Sequence, residues 1–160
     1  MPEKTEPFRV EHAHFRDHVE HVRLAARELP ELAPEERQAV VDRILDFVDT
    51  ELVPHAEAEE ATIYLEVGKI LDHPWATGPM VYDHMLIRRR AAALRQTDPE
   101  DCAMLQEHLY ALHALVEAHF EKEEELYLPL LESESEDEVR AVYDRLITVE
   151  HDFGRPFLAR

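Results

Sequence analysis

The chain has 160 residues, 45% of them apolar, which suits one domain around one core. A net charge of −19 with His neutral repels phosphate backbones and anionic lipid, so this reading excludes nucleic-acid and membrane partners. A single cysteine, Cys102, rules out a disulfide framework and a thiolate metal cluster.

The N-terminal stretch MPEKTEPFRV has no apolar h-region, and no run nears 18 apolar residues. The expectation is a cytoplasmic protein without a signal peptide or membrane span. Gly is scarce, Ala, Leu, Glu and Arg are abundant, and no stretch alternates Val, Ile, Thr and aromatics. The composition is all-α.

Helices follow in order. Pro7 opens the first, through FRVEHAHFRDHVEHVRLAARELPEL, with Phe8, Phe15, Val22, Ala25 and Leu29 as its apolar stripe. ELAPEE is a turn, with Pro34 at a helix start. The second helix spans about 35–71 on a stripe of Val41, Leu45, Val48, Leu52, His55 and Glu59, and Pro54 must kink it.

DHPWATGP breaks the chain, Pro79 opens a third helix through MVYDHMLIRRRAAALRQ, and Trp75 is expected to cover the bundle end. In TDPED, Asp98 is the expected N-cap before Pro99. The fourth helix runs to about Leu131 with Leu105, Leu109, Leu112, Val116, His119 and Glu123 on one stripe. Ser135 and Glu138 read as a capping box for a fifth helix over about 135–153, stopping near Phe153-Gly154. Short breaks between long helices predict an up-down-up-down four-helix bundle over about 7–131, with an additional C-terminal helix and one domain over 1–160.

The chemistry lies in two repeated phrases, HAEAEE at 55–60 and HFEKEE at 119–124. His-x-x-x-Glu spacing carries little by itself, because a chain with eleven His and many Glu makes such pairs by chance. Position on the helix carries more. His55–Glu59 and His119–Glu123 continue apolar stripes, and residues four apart share a face. Both pairs therefore point into the core, where an unpaired carboxylate costs several kcal/mol. A bound cation answers that, and so does a buried His–Glu hydrogen bond.

The first helix adds His18 on its stripe and His14 one turn earlier; the third adds His84 among Met80, Val81, Ile87 and Ala91. Residues of an antiparallel hairpin are level when the mean of their numbers falls at the turn. For His14 with His55 it falls beside Pro34, and for His84 with His119 it falls close to TDPED. Imidazoles and carboxylates from all four helices can meet in one layer.

Such a set, without thiolate, suits iron, manganese, zinc or nickel. His14, His18, His55, His84 and His119 with Glu59 and Glu123 are too many ligands for one ion, and suit two ions bridged by the carboxylates. The Glu-x-x-His pairs of ferritin-like di-iron proteins are missing, since only Glu11–His14 has that spacing. His113 lies at the stripe edge with Glu117 and is a further ligand candidate. His12, His21, His73, His108 and His151 read as surface or loop residues. Tyr64 and Tyr127 lie beyond the bridging carboxylates and are candidate proton donors. A metal-free interaction bundle is the alternative to all of this.

The residues HFRDHVEHV, HAEAEE, YDHMLIRR and HFEKEEELYLPLL, in this order, resemble the hemerythrin family in its bacterial HHE cation-binding form. The resemblance covers roughly residues 8–131. It implies two iron ions in an oxo- or hydroxo-bridged non-haem centre that binds O₂ or a related small ligand. It makes His55 and His119 terminal ligands, Glu59 and Glu123 bridges, and His84 and His18 ligands from the third and first helices. One departure stands out. The oxygen carriers place His-x-x-x-His on the third helix, whereas here that pair is His14–His18 on the first. Reversible oxygen binding, storage or sensing is the expected function. An enzyme acting on peroxide, NO or O₂, and an iron-binding or iron-sensing protein, are the alternatives; no protein partner is indicated.

Overall fold

A computed structural model of the chain describes residues 3–153. Four antiparallel rods form the bundle. The first is α1 (Glu6–Glu28), ending in a 3-10 turn at Leu29–Glu31. The second is α2 (Pro34–Phe47), α3 (Val53–Ala61) and α4 (Ile63–Ile70). The third is α5 (Gly78–Gln96), and the fourth is α6 (Cys102–Lys122) continued by α7 (Leu128–Leu131). The additional C-terminal helix, α8 (Glu136–Phe153), packs against α3 and α4. No helix among the described residues is long and apolar enough to cross a membrane.

The kink expected at Pro54 is a widened turn. Val48–Leu52 is π-helical, and the Val53 amide donates to the Val48 carbonyl five residues back. The fourth rod repeats the device at Glu123–Tyr127, where the Leu128 amide donates to the Glu123 carbonyl. In each case a proline follows, Pro54 or Pro129. Proline has no amide to return, and its ring crowds the carbonyl four residues earlier; an inserted residue relieves both problems. α3 then breaks from α4 at Thr62 (φ −132°, ψ −79°), whose hydroxyl donates to the Ala58 carbonyl at 2.6 Å.

Several local expectations shift. Asp101 rather than Asp98 caps α6, accepting from the Met104 amide at 3.1 Å, while Asp98 and Pro99 sit in the preceding turn. Trp75 is 78% exposed and covers nothing. The Ser135–Glu138 capping box is formed in both directions. Gly154, expected as the stop of the last helix, lies outside the described residues.

The apolar core comes in two parts. One is built from Phe15, Val19 and Val22 of α1 with Leu52, Ile87, Leu109 and Phe120. The other joins Phe8, Tyr64 and Met80 to Leu128, Leu131 and the inner face of α8. On every rod a polar segment separates the two: Glu11 and His12 between Phe8 and Phe15, His55 and Glu59 after Leu52, His84 between Met80 and Ile87, and Glu123 between Phe120 and Leu128. The bundle is a sandwich of two greasy ends around one ionisable layer.

Candidate metal centre

Six side chains converge in that layer: His12 from α1, His55 and Glu59 from α3, His84 from α5, His119 from α6 and Glu123 from the π-turn. All are at most 2% exposed. They fall into two adjacent groups able to chelate a metal, His12–His55–Glu59 and Glu59–His84–His119, which share Glu59.

Glu59 divides its oxygens between the groups. Oε1 lies 3.0 Å from His55 Nε2 and 3.6 Å from His12 Nε2. Oε2 lies 3.3 Å from His84 Nε2 and 3.8 Å from His119 Nε2. Glu123 spans the same gap, with Oε2 3.4 Å from His12 Nε2 and 3.5 Å from His119 Nε2. Yet neither oxygen of Glu59, nor His55 Nε2, nor Glu123 Oε2 makes a hydrogen bond. Buried polar atoms seldom go unpaired, because each costs about 1–3 kcal/mol. Lone pairs that face one another without bonding fit a shared cation on either side of Glu59.

All four imidazoles are held from behind. Nδ1 of His12 meets Glu124 at 3.0 Å, that of His55 meets Glu150 at 2.6 Å, that of His84 meets Glu60 at 2.8 Å and that of His119 meets Asp83 at 3.4 Å. Such outer carboxylates fix the tautomer that leaves Nε2 for a metal. Three of them are braced by a cation: Glu124 by Arg16 at 2.6 Å, Glu60 by Arg88 at 3.4 Å and Asp83 by Lys122. The fourth is different. Glu150 comes from α8, and its neighbour at His55 is another carboxylate, Glu11, at 3.8 Å and fully buried.

Burial opposes charge on every group here, and the pairing decides which group yields. Burial would raise Glu59, but the His55 charge and the imidazoles of His119 and His12 hold it well below the ordinary carboxylate range. Burial and the neighbouring Glu59 charge push Glu123 up. Burial would lower His119, yet Glu123, Asp83 and Glu59 raise it to about 10. His55, His12 and His84 also rise against burial, carried by their carboxylate partners. A proton on His119 competes with a cation for the same ring, and a metal ion would have to displace it.

Of the residues expected from the sequence, the structure brings together His55, Glu59, His84, His119 and Glu123. It places His14 and His18 elsewhere, half-buried beside Glu51. His113 is also apart, 3.9 Å from Glu20. His12, read as a surface residue, is 2% exposed and stands in the layer. A signal for it existed. Phe8, Phe15, Val22 and Leu29 repeat every seven residues, and this row leaves the flanking row open to two choices, Glu11/His18/Ala25 or His12/Val19/Ala26. The structure buries Val19 and Ala26, and Val19 is the more apolar choice at its turn. His12 and Glu59 also average to the Pro34 turn.

Beside the layer, the Tyr64 hydroxyl donates to Glu123 Oε1 at 2.5 Å and lies 3.3 Å from His84 Nε2. A cavity of about 10 Å³ opens against His55, Glu59, His84 and His119, lined also by Arg88 and by the apolar Leu52, Val53, Ala56, Ile87 and Phe120. That is the room one water-sized molecule takes. Comparisons with protein-family models, with curated proteins and with solved structures give no match. The molecule is thus an all-α bundle with His/Glu clusters able to chelate metal, and its chemistry has to be read from the geometry.

Proposed function

We propose that this chain is a hemerythrin-like di-iron protein that binds O₂ or a related diatomic reversibly. The observation that carries the reading is Glu59, whose two oxygens face two separate imidazole pairs and bond to neither. A carboxylate so placed could hold an ion with each oxygen, and Glu123 would hold them from the other side. The proposed ligands are His12 and His55 on one side, His84 and His119 on the other. Imidazole as the majority ligand suits iron and leaves little negative charge to stabilise high oxidation states. Iron held by these residues would supply the reversible electron transfer that binding and release of a diatomic need.

The chain's own residues do the rest. Glu124, Glu150, Glu60 and Asp83 orient the rings. Leu52, Ile87 and Phe120 give the small cavity an apolar side, and its size limits a guest to a single small molecule. Tyr64 holds Glu123 through its hydroxyl, 3.3 Å from His84 Nε2.

Freshly purified protein should contain two irons per chain and absorb in the visible. The band should bleach on reduction and return in air. Zinc in place of iron, or a reduced protein that air does not recolour, overturns the proposal.

The Tyr64 hydroxyl favours a second reading, an enzyme acting on peroxide. Burial, with the Glu123 and Glu59 charges, holds this phenol well above its ordinary pKa, so it keeps a proton close to the metal positions. Sustained gas evolution from peroxide, lost in Tyr64→Phe, would select that reading over the carrier.

A further inference from the structure

We propose that His14, His18 and Glu51 form a second, peripheral site for a hydrated divalent first-row transition ion. His14 and His18 are four residues apart on α1, so both rings leave the same face one turn from each other. Their centroids lie 4.9 Å apart. Glu51, in the π-turn Val48–Leu52, brings Oε2 to 3.9 Å from His14 Nε2. One ligand atom from each of the three lies within 4.8 Å of the others, a span that a single ion can close with modest side-chain rotation.

The site is separate from the buried layer. Phe15 packs its ring 4.6 Å from His55, and Phe47 stacks on His18 at 4.9 Å and 15°. These two rings, 6.3 Å from one another, stand between the clusters. The stacking also fixes the His18 ring, so less freedom is lost on binding.

Access differs too. The His14 side chain is 33% exposed and that of Glu51 10%, so an ion arrives from solvent without opening the bundle. Two imidazoles and one carboxylate leave the remaining positions to water. That donor set suits nickel, zinc, cobalt or iron(II) and is too nitrogen-rich for calcium or magnesium. The net charge of −19 favours any cation at this surface.

Nickel(II) is the probe, titrated calorimetrically at pH 7.5 into protein whose metal content and visible spectrum have been recorded. One nickel per chain should bind with micromolar affinity. His14→Ala and His18→Ala should each weaken it at least tenfold, and Glu51→Gln several-fold. His73→Ala and His108→Ala should leave it unchanged. The His14→Ala/His18→Ala double variant should retain its iron and its visible band.

Equal nickel affinity in wild type and double variant overturns the site. So does loss of iron and band from a folded double variant, which would make these residues ligands of the buried centre. The outcome is independent of the di-iron reading: protein isolated without iron whose nickel binding still needs His14 and His18 removes that reading and keeps this one.

Discussion

Replacing Glu150 with Gln leaves a carbonyl oxygen in front of His55 Nδ1 and removes one negative charge. In the native chain Glu150 Oε1 is 2.6 Å from that nitrogen, and Glu11 stands 3.8 Å from it with both oxygens unbonded. Burial, reinforced by Glu150 and opposed by His55, pushes Glu11 up to about 8. The substitution should therefore act on two observables, metal affinity and the stability of the metal-free fold. A neutral acceptor makes His55 less basic and less firmly held, and losing such a partner weakens a metal site by about 10–100-fold. Because Gln keeps the hydrogen bond, we expect about tenfold, or about 1.4 kcal/mol.

Glu150→Ala leaves Nδ1 unpaired and should reach the upper end of that range. The metal-free fold should respond in the same direction. Gln removes the charge that helps hold His55 protonated and only slightly relieves Glu11, so it should lower stability by up to about 1 kcal/mol, whereas Ala also strands a buried donor and should lower it by about 1–3 kcal/mol. Iron affinity by competition with a chromophoric chelator, and urea unfolding of the metal-free protein, measure both. Native iron affinity in Glu150→Ala, or equal metal-free stability of Glu150→Ala and the native chain, would refute the role given to α8.

Three further outcomes are expected. His12→Ala should abolish the bridged visible spectrum, and a native band in that variant would remove the α1 ligand from the site. Tyr64→Phe should retain two irons but shift the band, since it removes only the hydroxyl 2.5 Å from Glu123; unchanged spectra and turnover would leave that residue a packing role. Iron binding should release protons and tighten as pH rises from 6 to 9, because the metal-free His119 keeps its proton up to about 10. The same shift sets a sign for stability. A raised pKa stabilises the metal-free fold below the unfolded value and is lost as pH rises through the folded one, so metal-free Tm should fall from pH 7 to 10 while iron-loaded Tm does not. Calorimetry in buffers of different ionisation enthalpy and paired melts test both statements.

The sequence exposed those parts of the site that repeat a local rule. His55–Glu59 and His119–Glu123 continue unbroken apolar stripes on their helices, so their inward direction was legible. The α1 member of the layer was not, because a row of apolar residues every seven positions is flanked equally well by residues three or four positions on, and the choice between His18 and Val19 is made where α1 packs against α6. Pro54 announced a disturbance, but its form, a widened turn that recurs before Pro129, depends on both rods keeping their faces inward.

Glu150 lay furthest from view. Val139, Val142 and Leu146 mark the buried stripe of α8, and Glu150 continues it; an acid at the end of an amphipathic helix reads as solvated until a histidine 95 positions earlier is found opposite it.

The ionisable layer also governs how the bundle comes apart. Each rod crosses from one apolar cluster to the other through this seam, and neither cluster touches its counterpart without it. Two ions in the layer would stitch the halves into a single melting event. Without them the seam is joined by proton-dependent pairings and by the helices that run through it, and amide exchange should then report two blocks of different protection. The end built on Phe8, Met80, Leu131 and α8 is the smaller of the two and should loosen first.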